Sequence, residues 1–202
     1  MKQQEKSKRT LTQPPMQKGS PDDFQTPPEA LLPLFPYLEN NGFEIIWECA
    51  AGQGYLVKEF EARGYEVIAT DIKTGHDFLN WNPKRFDCII TNPPYSIKQE
   101  FLERCYELGK PFALLLPLTT FETAKRQKLF KNHGIEIIFF DKRINFITPD
   151  EKSDKESSSW FSTAWFTWGF RLPQVLNYEK LQSKSLRNVK PLTKFSTQDL
   201  NK

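Results

Sequence analysis

The chain has few of the residues that build metal centres or disulfide frameworks: three cysteines and two histidines in 202 residues. Cys49, Cys88 and Cys105 are odd in number, show no metal-type spacing and sit in apolar patterns. They read as buried thiols of a reducing, cytoplasmic setting. With His76 and His133 as the only histidines, no metal site is expected. Long apolar runs are missing as well. Nothing approaches the roughly 20 residues of a membrane span, and Met1-Lys2-Gln3-Gln4-Glu5 opens no signal-peptide core. No membrane partner and no internal repeat are expected. Aromatic residues are plentiful, with 17 Phe and 5 Trp. They require a substantial core, in one domain with appendages.

The net charge of +3 conceals an uneven distribution. Residues 1–20 carry +4 and residues 171–202 carry +5, which leaves the body between them at −6. Basic ends on an acidic body suit attraction to a polyanion such as nucleic acid. Solvated tails without a partner have the same composition.

Residues 1–22 read as a disordered basic tail, 23–175 as the folded domain, and 176–202 as a second basic tail. The stretch from Phe24 to Asn40 is apolar and partly helical, interrupted by Pro33 and Pro36. Short apolar strands are expected at 43–48, 67–69, 86–90, 112–116 and 135–140. Helical patterns fall at 55–63, 97–108 and 121–131. This alternation indicates a mostly parallel α/β sheet covered on both faces. Asp150 to Ser159 is charged, serine-rich and without apolar residues. It leads into a last aromatic strand, Trp160 to Phe170, with no crossover helix between, so that strand is expected to run antiparallel.

Chemistry concentrates at Thr91-Asn92-Pro93-Pro94-Tyr95-Ser96, directly after the apolar run Phe86-Asp87-Cys88-Ile89-Ile90. Two prolines stop a strand, because each lacks an N–H and has φ fixed near −65°. The turn projects the Asn92 amide, the Pro93 carbonyl and the Tyr95 ring from the strand's C-terminal edge. Two acceptors beside an aromatic face suit a planar group bearing an NH2. Pro-Pro-Tyr is also a proline-rich ligand motif, but its place after a buried-strand pattern favours the first reading.

The first strand–helix junction, Glu48-Cys49-Ala50-Ala51-Gly52-Gln53-Gly54, has small residues that let a ligand approach the backbone. Asp71 closes the next strand, where an acid can accept both hydroxyls of a ribose. The turn is not the dinucleotide fingerprint, since Val57 takes the third glycine's place. Asp71 and Asp77 can equally cap helices or face solvent. Upstream, Asp23-Phe24-Gln25-Thr26-Pro27-Pro28 has a plain reading as a helix start.

In this order, the three motifs resemble S-adenosylmethionine-dependent class I methyltransferases of the adenine N6 type, in their short phage and mobile-element form. The resemblance spans about residues 23–170 and includes Arg143-Ile144-Asn145-Phe146. It implies a Rossmann-like, mostly parallel seven-stranded sheet with a late antiparallel strand and helices on both faces. S-adenosylmethionine is the implied cofactor, held by Thr26, Glu48, Ala50, Gly52, Gly54, Asp71, Asp77 and Phe78. Asn92, Pro93, Pro94 and Tyr95 are the implied catalytic segment, with Tyr95, Phe146 and Trp160 around the target base. The implied reaction is N6 methylation of adenine in nucleic acid, DNA in preference to RNA. No large target-recognition domain is present, so a short or degenerate recognition sequence is expected. Protein glutamine N5 methylation is the enzymatic alternative. A catalytically silent nucleic-acid-binding module is the alternative from another class.

Overall fold

The computed structural model describes residues 24–147 and 161–181. Asp150–Ser159, Trp160 and most of both basic ends lie outside the described residues. Seven strands, β1 (Ile45–Glu48), β2 (Glu66–Ala69), β3 (Cys88–Thr91), β4 (Phe112–Pro117), β5 (Glu136–Phe140), β6 (Thr163–Trp168) and β7 (Leu176–Glu179), join in one sheet. Their order across it is β2-β1-β3-β4-β6-β5-β7. The α-helices are α1 (Phe35–Asn41), α2 (Tyr55–Ala62), α3 (Lys98–Leu108) and α4 (Ala124–His133).

Every residue of β1, β3 and β4 is buried, as expected of strands covered on both faces. The two-residue period of a strand divides their side chains between two cores. Ile46, Cys88, Ile90, Ala113 and Leu115 pack with α1 and α2 through Phe35, Leu38, Leu56 and Phe60. Ile45, Trp47, Ile89, Phe112 and Leu114 pack on the opposite face with Phe101, Leu102 and Cys105 of α3 and Phe130 of α4. On α2 the buried residues are Leu56 and Phe60, one helical turn apart.

β1 pairs parallel with β2 and β3, and β3 pairs parallel with β4. β6 lies antiparallel between β4 and β5, the orientation expected for it from the sequence. The C-terminal ends of β1, β3, β4 and β5 therefore meet at one edge of the sheet. The sheet also reaches further along the chain than residue 175, where the sequence reading ended the domain. Leu176–Glu179 pairs parallel with β5 as the outermost strand. It carries little apolar signal, because Leu176 and Tyr178 are exposed and the inward residue is Asn177. Asn177 stays buried by donating through Nδ2 to the Gln174 carbonyl at 2.7 Å.

The start of β1 is fixed from the neighbouring strand. Asp87 Oδ2 accepts from both the Glu44 and Ile45 N–H groups at 2.8 Å, and the Asp87 N–H returns a bond to the Ile45 carbonyl at 2.8 Å. Asp87→Ala should cost about 1–3 kcal/mol, since it strands two backbone donors that a charge now satisfies. The urea midpoint should fall with an unchanged slope. Asp87→Asn, which keeps an acceptor, should lose less.

Candidate functional site

A cleft opens at the shared C-terminal edge, above the ends of β1, β2 and β3. It is lined by Phe24–Thr26, Glu48, Ala50–Gly52, Tyr55, Leu56, Asp71–Lys73, Asn92 and Pro94. Thus Thr26, Glu48, Ala50, Gly52, Asp71, Asn92 and Pro94, all anticipated from sequence, meet in one place.

The β1–α2 turn is held to the end of β2. The Thr70 N–H donates to the Glu48 carbonyl at 2.9 Å, and the Ala51 N–H donates to the Thr70 carbonyl at 3.0 Å. Beneath them the Trp47 indole N–H donates to Thr70 Oγ1 at 2.8 Å. Gly52 has φ +52° and Gly54 φ +76°, conformations that favour glycine at both positions. Gly54 shapes the turn without lining the cleft. At Gly52 there is a second constraint, because a Cβ there would meet Gln25 Oε1 at 2.5 Å. The same Oε1 accepts from the Gln53 N–H at 3.0 Å.

Asp71 is fixed by backbone donors on both sides. Oδ2 accepts from the Gly52 N–H at 3.0 Å, and Oδ1 accepts from the Lys73 N–H at 2.8 Å. Each oxygen retains a lone pair for a ligand hydroxyl. Beside it Ile72 is 70% exposed and lines the cleft, an unusual position for a large apolar side chain. Ile72 and Gln25 were not singled out from sequence. The available signal for Ile72 was a branched apolar residue directly after the acid that ends a strand.

Glu48 sits at the end of β1, 1% exposed. Oε1 accepts from the Ala50 N–H at 3.1 Å, while Oε2 is buried with no hydrogen-bond partner among the described residues. Burial pushes its carboxyl up to about 8, against the opposing pull of the neighbouring Thr91 hydroxyl and the Ala50 N–H. The next residue, Cys49, is buried too, and burial pushes its thiol well above the usual range.

Asn92 follows β3 directly. Its Nδ2 donates to the Phe24 carbonyl in a long contact of 3.5 Å. A carbonyl only accepts, so this contact turns the amide nitrogen toward Phe24 and leaves Oδ1 on the other side. Oδ1 is buried and has no hydrogen-bond partner among the described residues. Pro93 is buried, and Tyr95 is half-buried with its ring centroid 5.7 Å from that of Phe161, edge to face. Phe161 in turn lies 6.2 Å from Phe146.

Other anticipated residues lie away from the cleft. Phe78 is 3% exposed and packs between Trp47 and Phe101 in the core. Asp77 accepts from the Leu79 N–H at 3.0 Å and the Asn80 side chain at 2.6 Å, so it serves the turn that buries Phe78. Phe146 is 9% exposed and belongs to the core. Among the described residues no three His, Cys, Asp or Glu side chains converge as metal ligands, and no helix is long and apolar enough to cross a membrane.

No protein-family model matches the chain, and no curated protein matches it in sequence. Solved structures match it in fold. The methyltransferase subunit of a type I restriction-modification system from Streptococcus thermophilus superposes with a TM-score of 0.54 at 15% identity, over 78% of this chain and 47% of that one. The chain thus spans about half of that subunit. A candidate RNA methyltransferase from Pyrococcus horikoshii gives a TM-score of 0.49 at 16% identity, over 66% of this chain and 78% of that one. The chain has the Rossmann-like fold of class I methyltransferases.

The buried acid makes a prediction for the ligand-free protein. A folded-state value near 8, raised from 4.5, means that the native state holds the Glu48 proton more tightly than the unfolded chain does. Its contribution to stability is complete below pH 4.5 and is lost as pH rises through about 8. Melting temperature measured across that window should fall more steeply for the native chain than for Glu48→Gln, which cannot ionise.

Proposed function

We propose that the chain is an S-adenosylmethionine-dependent methyltransferase acting on the exocyclic N6 amino group of adenine in nucleic acid, DNA in preference to RNA. One atom carries most of this reading: Asn92 Oδ1, a buried acceptor without a partner, presented beside Pro93-Pro94-Tyr95 at the sheet edge. A buried amide oxygen left unsatisfied costs free energy, and native structures retain such groups where a ligand donates to them.

The cleft fits the cofactor on the chemistry of its own donors and acceptors. Thr26 Oγ1 and Glu48 Oε2 are buried polar atoms without partners among the described residues, suited to the polar amino-acid end. Asp71 offers acceptors for ribose hydroxyls, and Ile72 an exposed apolar face for a flat ring. When bound, S-adenosylmethionine supplies an electrophilic methyl group on a sulfonium.

An adenine amino nitrogen is a poor nucleophile because its lone pair is delocalised into the ring. Hydrogen bonds from its two N–H groups to Asn92 Oδ1 and the Pro93 carbonyl favour a pyramidal nitrogen. Those bonds strengthen as positive charge develops, so they stabilise the transition state more than the ground state. The Tyr95 ring supplies a stacking face for the target base, which must leave a duplex to reach the edge. The methylated nitrogen is then cationic and acidic, and its proton passes to water without a strong protein base. The preference for DNA is supported by the likeness in fold to a restriction-modification methyltransferase subunit.

The test supplies methyl-labelled cofactor with duplex DNA, single-stranded DNA, RNA and protein extract, followed by digestion and identification of the product. Label in N6-methyladenosine, in its deoxy form, is the expected result. Label confined to protein or to another base would overturn the reading. Asn92→Ala should lower turnover by about a hundredfold or more while cofactor affinity barely changes. Asp71→Ala should instead weaken cofactor binding by about tenfold, as measured by calorimetry.

A further inference from the structure

Because β6 runs antiparallel, its first residues lie at the same edge of the sheet as the last residues of β3 and β4. The pairing of Pro117 with Thr163 sets this register, and just beyond it the Leu118 N–H donates to the Ser162 carbonyl at 3.0 Å. Phe161 is thereby delivered to the edge that carries Asn92-Pro93-Pro94-Tyr95. Its ring centroid lies 5.7 Å from that of Tyr95 at an interplanar angle of 79°, an edge-to-face contact. Phe161 also lies 6.2 Å from Phe146 at 30°, so it is backed by a buried ring. Tyr95 packs with the core of α3 and α4, and Phe161 with the core of α1 and α2. Their contact joins the two cores around the end of the sheet.

Aromatic pairs are usually packing and nothing more. Two observations argue for more here. Neither ring is fully buried, so the pair gains less from excluding water than a core pair would. The backbone of Tyr95, moreover, is fixed by other groups. Its carbonyl accepts from Lys98 Nζ at 2.8 Å, and the Ile97 N–H donates to the Pro94 carbonyl at 3.2 Å. What the backbone leaves open is the plane of the Tyr95 ring, set by two side-chain torsions of which the second is intrinsically broad. An edge-to-face neighbour narrows that choice, because the positive edge of one ring is drawn to the negative face of the other.

We propose that Phe161 is a positioning residue for the target base: it fixes the plane of the Tyr95 ring, so that a flat face is presented before the base arrives. This role deepens the nucleic-acid reading above and rests on it. Phe161 acts through Tyr95 rather than on the base itself. A ring already in place spares the complex the cost of ordering it, so the effect falls on substrate affinity. The methyl-transfer step, which depends on Asn92 Oδ1 and the Pro93 carbonyl, is left nearly as it was.

The test is a double-mutant cycle in the full chain with cofactor. It is read as affinity for the nucleic acid that the native chain methylates, with kcat and KM followed in the single variants. Phe161→Ala should weaken affinity and raise KM by about tenfold, the size of one impaired base stack, with kcat within about twofold of native. In a Tyr95→Ala background the same change should cost less than about twofold, since no ring is left to orient. Phe161→Tyr keeps a ring and should stay close to native. Phe161→Leu fills the space without a ring and should behave as Phe161→Ala does, which keeps the test open if the smaller side chain prevents folding. Cofactor affinity by calorimetry should be unchanged in each variant, and cofactor should still raise the melting temperature. Equal losses in both backgrounds, or native KM in Phe161→Ala or Phe161→Leu, would overturn the proposal. So would a parallel loss of cofactor affinity, the mark of a general loosening of the fold. If the native chain methylates no nucleic acid, the substrate reading fails and the proposal falls with it. Equal losses on a methylated nucleic acid leave that reading standing and remove only the role of Phe161.

Discussion

Two backbone hydrogen bonds between Gln25 and Ile147 hold the architecture of the cleft together. They join residues far apart in sequence and place the strap Phe24–Thr26 across the ends of β1 and β3. From that strap the Phe24 carbonyl turns the Asn92 amide, the Gln25 side chain caps the Gln53 N–H, and Thr26 Oγ1 lines the cleft. Without the pairing, the acceptor face of Asn92 would rotate, and the turn at Gly52 would lose the side chain packed against it. The crowding at Gly52 comes from the same source, since Gln25 occupies the space of a Cβ.

The electrostatics of the cleft follow from burial more than from charge pairs. Glu48 is sealed at the end of β1, and that burial raises its carboxyl pKa in the ligand-free protein, favouring the neutral acid. A cation bound beside it would reverse that balance, because a neighbouring positive charge favours the carboxylate. Asp71 stands in a different setting, half-exposed and held by two backbone donors. Two acids at adjacent strand ends thus have separate characters, which suits a ligand with a charged end and a hydroxyl-bearing middle.

Much of this arrangement was legible in the sequence because it is written in local signals. Strand ends are marked by Asp71 and by Pro93-Pro94, the turn by Gly52 and Gly54, and the antiparallel β6 by the missing crossover helix. Relations set by tertiary packing were not legible. Phe78 follows an acid as a ring-packing residue would, yet Trp47 and Phe101 draw it into the core. Ile72 takes the exposed place instead, and nothing local marks it except its position after Asp71. β7 escaped notice because an edge strand of four residues needs only one inward side chain, and that one is polar. The partner of Gln25 lies beyond any periodicity, since it depends on where β5 delivers the chain.

The central claim is that Asn92 Oδ1 receives the target amino group. The most direct measurement is the position of that group in a complex of the full chain with a non-reactive cofactor analogue and an adenine-containing oligonucleotide. The account predicts the exocyclic nitrogen about 3 Å from both Asn92 Oδ1 and the Pro93 carbonyl, with the base stacked on Tyr95. An adenine bound elsewhere on the sheet edge, or a different donor filling the Asn92 site, would contradict it.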